Sequence, residues 1–320
     1  VKLFYYQTRS PANNFGDALN PWLWPKLLPE LDDNEKSLFV GIGTLLNDAT
    51  KKLMSQAETA VFFSTGAGYG RSLRFEPPPN WKIYCVRGPL SAKQLNLPEA
   101  LAITDGAVLL KRYFAPVGEA DRRYPFSYMP HFRHGSPHLF QAVCERAGIH
   151  YIDPTGEIEA VVADISQTKV LISEAMHGAI VADTLRVPWI PVRTSPRILP
   201  FKWRDWCASM HLPYRYQVIK GANSLSRADF QYSIRPYLQG QSSVAALFDG
   251  FRMNSFSSVF ENSVRSGKLK GMKERKLDSL SAQLISITQQ TPFLSCDRHL
   301  ESQVVRLEEC LAKLKRDLTC

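Results

Sequence analysis

The segment Ser173-Glu174-Ala175-Met176-His177-Gly178-Ala179 carries the most pointed chemistry in this sequence. It follows an apolar run, Lys169 to Ile172, that predicts a buried strand, and it continues with Ile180, Val181, Thr184 and Leu185 at helical spacing. Glu174 to Gly178 is therefore a strand-to-helix turn. An imidazole at such a turn lies beside unpaired helix amides, where the helix dipole favours an anion. A histidine there also serves structures that bind nothing, by capping its own helix and packing. The polar residues at other strand ends favour the ligand.

The first of these is Asn13-Asn14-Phe15-Gly16-Asp17, directly after the opening strand, where Asp17 either N-caps the next helix or binds and deprotonates a hydroxyl. The glycine loops Gly41-Ile42-Gly43-Thr44 and Ser64-Thr65-Gly66-Ala67-Gly68 let a ligand or backbone approach closely, but neither completes a Walker A or dinucleotide fingerprint. Val86-Arg87-Gly88-Pro89 sets an arginine before a helix, where its planar fork suits a carboxylate or phosphate, or a surface ion pair. His131 follows a strand in the same way, and Arg193, Arg197, Lys202 and Asp205 extend the series of charged residues at strand ends. Such a set suits a small ligand with more than one negative charge better than nucleic acid, which calls for a basic helix or stripe.

The elements that must position these residues alternate. Leu3 to Tyr6, Leu38 to Ile42, Ala60 to Phe63 and Lys82 to Val86 read as strands separated by helical stretches, which predicts a parallel sheet covered by helices. A polar, irregular stretch from Ala115 to Arg123 reads as a hinge. The pattern then restarts, with strands at Phe126 to Met129, Ile149 to Ile152, Val170 to Ile172 and Trp189 to Val192, and helices near Leu139 to Ala147, Ile158 to Ile165 and Gly178 to Leu185. Two α/β halves joined in this way open a cleft at the carboxyl ends of their strands. The expected division is 1–115, 116–265 and a helical tail over 266–320.

The tail changes character. Six cations, Arg265, Lys268, Lys270, Lys273, Arg275 and Lys276, face one anion, Glu274, and suit either an anionic membrane surface or a solvated helix face. Leu300, Val304, Leu307, Leu311, Leu314 and Leu318 then recur at heptad spacing, the signature of a helix packed on its own protein or on a partner helix in a homo-oligomer. Across the 320 residues, 39 Lys and Arg against 30 Asp and Glu leave a charge of +9, which favours anionic partners. The six cysteines form no C-x-x-C pair, so a zinc site is not indicated and they read as reduced thiols, mostly buried. With no long apolar run and no signal-like opening, the expected location is cytoplasmic.

Taken in order, Asn14-Phe15-Gly16-Asp17, Gly41-Ile42-Gly43-Thr44, Val86-Arg87-Gly88, Thr104-Asp105, Met129-Pro130-His131 and Ser173 to Ala179 resemble the polysaccharide pyruvyl transferase family, over roughly residues 1 to 210. The resemblance is to its exopolysaccharide branch. It implies two Rossmann-like domains facing across a cleft, the GT-B architecture, and transfer of the enolpyruvyl group of phosphoenolpyruvate to a sugar as a cyclic ketal. It also implies a saccharide acceptor on a lipid carrier, hence a protein peripheral at the inner face of the membrane. One departure stands out. Many members carry arginine two residues before the histidine, where this chain has Ala175, so that task passes to Arg87, Arg193 or Arg197.

On this reading His177 is the general acid or phosphate anchor, and Asp17 or Glu174 handles hydroxyl protons. Arg87, Gly178, Arg193 and Arg197 bind the donor; Asn14, His131, Lys202 and Asp205 bind the acceptor. Phosphoenolpyruvate is a substrate, and neither a metal nor another cofactor is called for. The alternative is a glycosyltransferase of the same architecture with a nucleotide-sugar donor, and a noncatalytic glycan-binding protein is the third possibility.

Overall fold

The strand-like runs assemble into two sheets in which every neighbouring pair is parallel. The first holds β1 (Lys2–Phe4), β2 (Ser37–Val40), β3 (Thr59–Thr65) and β4 (Trp81–Val86), in the order β1-β2-β3-β4. The second holds β5 (Tyr124–Met129), β6 (His150–Tyr151), β7 (Thr168–Ser173), β8 (Trp189–Arg193) and β9 (Gln217–Val218), in the order β6-β5-β7-β8-β9. This computed structural model describes residues 1–7, 13–68, 76–133, 137–195, 198–222 and 268–319, with side chains of the 268–287 helix described from Glu274 onward. Arg197, Arg265 and Cys320 lie outside the described residues, as do the side chains of Lys268, Lys270 and Lys273.

Helices follow the strands: α1 (Phe15–Leu27), α2 (Asp48–Leu53) and α3 (Pro89–Gln94) in the first half, then α4 (Pro137–Ala147), α5 (Ile158–Ser166), α6 (Met176–Thr184) and α7 (Pro200–Ser209) in the second. Lys202 and Asp205 belong to α7, so their expected placement at a strand end is corrected: Pro200 opens a helix there. β3 and β7 are buried along most of their length, as a strand covered on both faces should be. The order β6-β5-β7 reverses the direction of sheet growth between β5 and β7. Such a reversal opens a crevice at the carboxyl ends of those two strands.

Helix α1 shows how a poor helix sequence is made to hold. Pro21 has no N–H for the carbonyl of Asp17, and the side-chain amide of Asn20 donates to that carbonyl at 3.1 Å. The same fully buried amide donates to Ile42 O at 3.0 Å, while its oxygen accepts from Ile42 N–H and from Trp24 Nε1–H, both at 2.9 Å. Asn20 thereby ties α1 to the loop after β2 and fixes where α1 begins.

The largest core is shared by both halves. Phe15, Leu19, Leu23 and Leu27 of α1 and Val108 to Leu110 join Val161, Ile165, Ile180 and Leu185 in one apolar cluster. Two further helices, α8 (Lys268–Ile287) and α9 (Asp297–Thr319), complete it. Leu277, Leu280, Leu284 and Ile287 of α8 pack with Tyr128, Phe140 and Val143 beneath the second sheet. Leu300, Val304, Leu307, Leu311 and Leu314 of α9 enter the shared core, so the heptad stripe is spent on the protein itself. The segment between them is docked as well: Phe293 and Trp189 exchange backbone hydrogen bonds of 2.7 and 2.9 Å, and the Asp183 carboxylate accepts from Ser295 N–H at 2.9 Å. The C-terminal helices are thus part of the body rather than an appended tail.

Candidate functional site at the β5 and β7 strand ends

A single buried carboxylate organises the crevice. Glu174, 1% exposed, accepts from His131 N–H at 3.1 Å, from Thr194 N–H at 2.6 Å and from the Thr194 hydroxyl. The loops after β5, β7 and β8 all hang on it. A carboxylate occupied by three donors is a positioning group, and this geometry does not give Glu174 the proton-handling role expected of it. His131 is fixed by its backbone at this staple, and its Nδ1 accepts from Arg133 N–H at 3.2 Å.

His177 occupies the first turn of α6, after Ala175 at the N-cap, and no side chain caps that terminus. The leading amides of the helix are therefore available to an anion. Gly178 brings the helix start hard against β5, since a Cβ there would stand 2.5 Å from Met129 Sδ. The imidazole lies between two elements of the first half. Its Nε2 is 3.5 Å from Asp105 Oδ2, and its Nδ1 faces Gly16, where a Cβ would come within 2.0 Å. Only glycine at position 16 admits the ring.

Asp105 is fully buried, and its Oδ1 accepts from Ala107 N–H at 3.0 Å, capping the short helical turn Gly106–Arg112. Among the described residues, Oδ2 has no hydrogen-bond partner other than what the imidazole can offer, and Nε2 has none other than this carboxylate. A carboxylate in that place orients the ring and fixes which ring nitrogen faces it. Sequence reasoning left Asp105 out of the site, although Thr104-Asp105 is one of the stretches that carried the resemblance; a capping aspartate gives no sign of what its second oxygen faces.

Asp17 does not cap α1: Asn14 occupies the N-cap position, and its side-chain amide donates to Asp17 Oδ2 at 2.6 Å. Burial pushes the Asp17 carboxyl above its ordinary value. The Asn14 hydrogen bond and the charges of His177, Lys202 and Arg133 oppose that rise. Asn14, Asp17, Lys202 and His177, with Asp105 and Arg133, are thus one neighbourhood drawn from five elements.

Two expected site residues are placed elsewhere. Arg87 is fully buried, and its Nε donates to Asp205 Oδ2 at 3.1 Å while Nη1 donates to Gly43 O and Thr44 Oγ1 at 3.1 and 3.0 Å. Asp205 is equally buried and accepts from Ser91 N–H at 2.9 Å and from the Ser91 hydroxyl at 2.5 Å, capping α3 from across the molecule. The pair joins α7 to the first sheet. The donor-binding fork at Arg87 and the acceptor contact at Asp205 are corrected accordingly, since each spends its charge on the other. Arg193 ends β8, half-buried, with Nη1 donating to Tyr216 Oη at 3.0 Å and its guanidinium 4.8 Å from the centre of that ring.

Residues 78–196, which include Asp105, Glu174 and His177, match the polysaccharide pyruvyl transferase family. The succinoglycan biosynthesis protein ExoV of Rhizobium meliloti (strain 1021) is 39% identical over 217 residues, which make up 67% of this chain and 66% of that relative. This chain thus spans slightly less than two thirds of its length. No solved structure matches. With the matched stretch running from β4 to β8 and enclosing both partners of the histidine–aspartate pair, this chain belongs to the polysaccharide pyruvyl transferase family.

Proposed function

We propose that this protein transfers the enolpyruvyl group of phosphoenolpyruvate to a sugar of an exopolysaccharide repeat unit, closing a cyclic pyruvate ketal. The observation that carries the reading is His177, whose imidazole stands at an uncapped helix start with the buried Asp105 carboxylate 3.5 Å behind it. The donor has a phosphate and a carboxylate. Lys202 and Arg133 are cations whose charges act on Asp17, and together with the α6 amides at Gly178 they could meet the two anionic groups of the donor. Lys202 thereby moves from the acceptor to the donor side, and Arg193 borders the donor from β8. Asn14 and His131 remain for the acceptor.

In this assignment the imidazolium of His177 gives its Nδ1 proton to the methylene carbon of the donor, while Asp105 holds Nε2–H. The neighbouring carbon gains cationic character and is attacked by a sugar hydroxyl, which loses its proton to Asp17. Phosphate then leaves as the carbon–oxygen bond breaks, taking up the proton held by Asp17. A second hydroxyl closes the ketal and returns a proton to His177, so donor and diol yield ketal and hydrogen phosphate. The raised Asp17 carboxyl suits a group that must both take and give a proton.

The two parallel sheets support a GT-B-like arrangement, with Rossmann-like units over 1–115 and 116–265 joined by the polar stretch from Ala115 to Arg123. The name of the Rhizobium relative supports a polysaccharide acceptor of the succinoglycan kind. We further propose that the acceptor is lipid-linked and met at the cytoplasmic face of the membrane; among the described residues no helix is long and apolar enough to cross one. The test is donor choice. With a depyruvylated succinoglycan repeat oligosaccharide, phosphoenolpyruvate should be consumed with equal release of phosphate, and the acceptor should gain the mass of pyruvate less water. Turnover with a UDP-sugar and release of UDP, without phosphoenolpyruvate consumption, would instead establish the glycosyltransferase.

A further inference from the structure

We propose that Cys85 and Cys310 form a reversible disulfide site, by which peroxide straps α9 to β4 of the first sheet. Cys85 lies in β4 and is fully buried, whereas Cys310, on α9, is half-buried. The two thiols share a hydrogen bond, and Cys310 Sγ lies 3.6 Å from the carbonyl of Tyr84, the residue before Cys85. These are side chains from distant parts of the chain packed in the same apolar cluster, in a structure where the other described cysteines are buried singly or exposed.

Their surroundings divide the work. The hydrogen bond from Cys85 holds the Cys310 thiol below its usual range against the opposing effect of burial, with help from the charges of Lys313 and Arg306. Burial pushes Cys85 above its own. Cys310 is therefore the more nucleophilic and the more accessible of the two, and Cys85 is the resolving thiol. The Cys310 thiolate attacks hydrogen peroxide, breaking the O–O bond to give Cys310 sulfenic acid and hydroxide. Cys85 then attacks that sulfur; the S–O bond breaks, the thiol proton leaves with the hydroxyl as water, and the S–S bond forms. Two thiols are oxidised and one peroxide is reduced to two waters, counting the proton that neutralises the hydroxide. A thiol reductant reverses the bond.

The same neighbourhood explains what the strap would do. Around Cys310, α9 is held to the first half by Tyr84 Oη donating to Asp317 Oδ2 at 2.7 Å, and by Arg306 Nη2 donating to Ala100 O and Ala102 O at 3.1 and 3.3 Å. These are half-exposed polar contacts, and a covalent link at their centre makes detachment of α9 much rarer.

The experiment treats the whole protein with equimolar hydrogen peroxide and maps its peptides without reduction. The expected result is a Cys85–Cys310 crosslinked peptide, a free-thiol count lower by two, a melting temperature higher by several degrees, and return of all three to the starting state with dithiothreitol. In Cys85→Ser a sulfenic acid should accumulate at Cys310 and be trapped by dimedone; in Cys310→Ser, Cys85 should stay reduced. Oxidation of Cys310 to sulfinic acid in the wild type with no crosslink, or a crosslink to any other cysteine, would overturn the proposal, and this readout needs no variant to fold.

Discussion

Replacing Asp205 with alanine is expected to damage the fold far more than the chemistry. Both it and Arg87 are 0% exposed, with Nε and Oδ2 3.1 Å apart. Removing one partner leaves a guanidinium without countercharge in a place water does not reach, and such a loss costs about 3–5 kcal/mol. The Ser91 N–H and hydroxyl lose their acceptor in the same step, so the upper end of that range applies. Against a total stability of roughly 5–15 kcal/mol, this should lower the melting temperature by on the order of 10 °C and move the urea midpoint to match. Tryptophan fluorescence reports it directly, because Trp203 and Trp206 sit on α7 beside Asp205 and are buried. A double variant, Arg87→Met with Asp205→Leu, should recover part of the loss, since an apolar pair leaves no buried charge behind. The reasoning fails if Asp205→Ala unfolds at the wild-type urea midpoint while affinity for phosphoenolpyruvate collapses; Arg87 would then be the donor fork.

His177→Ala should keep the wild-type melting temperature and lose about 100-fold or more in turnover, whereas Asp105→Asn should lower kcat with little change in donor KM. The raised carboxyl of Asp17 means that the native state holds its proton more tightly than the unfolded chain, so this residue costs stability as pH rises. Asp17→Asn should therefore match the wild type below about pH 4, the ordinary carboxyl range, and become the more stable protein as pH climbs through the raised value; equal stability of the two at pH 7 would contradict that. Leu307→Ala, at a fully buried position on α9, should cost about 2–5 kcal/mol in unfolding experiments and leave the sedimentation behaviour unchanged, whereas a change in oligomeric state would return the stripe to a partner helix.

The fold was legible wherever a strand is covered on both faces. Ala60 to Phe63 and Val170 to Ile172 lie inside β3 and β7 because parallel strands read as unbroken apolar runs, which no other element of that length produces as cleanly. Strand β9 was not legible: it is only Gln217 and Val218, the first half-buried and the second exposed, too short to show alternation. Helix α7 was hidden for another reason. Its tryptophans and charges give no clear amphipathic period, because Trp203 and Trp206 face the shared core while Asp205 turns a charge inward toward Arg87. The heptad stripe was seen at once, yet spacing alone does not say whose surface covers it, and the apolar cluster that receives Leu307 is assembled from residues far away in the chain.

The same limit governs the site. His177 and Asp17 stood out because each follows a strand and opens a helix, a purely local pattern that needs no knowledge of neighbours. Whether a charged residue at such a turn meets a ligand or another side chain depends on contacts across the chain, and here local patterns mislead. Arg87 and Glu174 have the right positions for ligand binding, and both are consumed by the scaffold: one pins α7 to the first sheet, the other hangs the three loops on one carboxylate. Asp105 is the opposite case, a residue given no role from the sequence whose second oxygen faces the imidazole. What separates them is whether the buried charge is already met by hydrogen-bonded partners. Glu174 has three donors, and Arg87 has the Asp205 carboxylate and two further acceptors with its Nη2, packed against Gly66, left over; Asp105 Oδ2 and His177 Nε2 have, among the described residues, no hydrogen-bond partner nearer than one another. A charge whose bonds are already made holds a structure together, and on the proposed function the pair left incomplete at the start of α6 is the one that acts on the substrate.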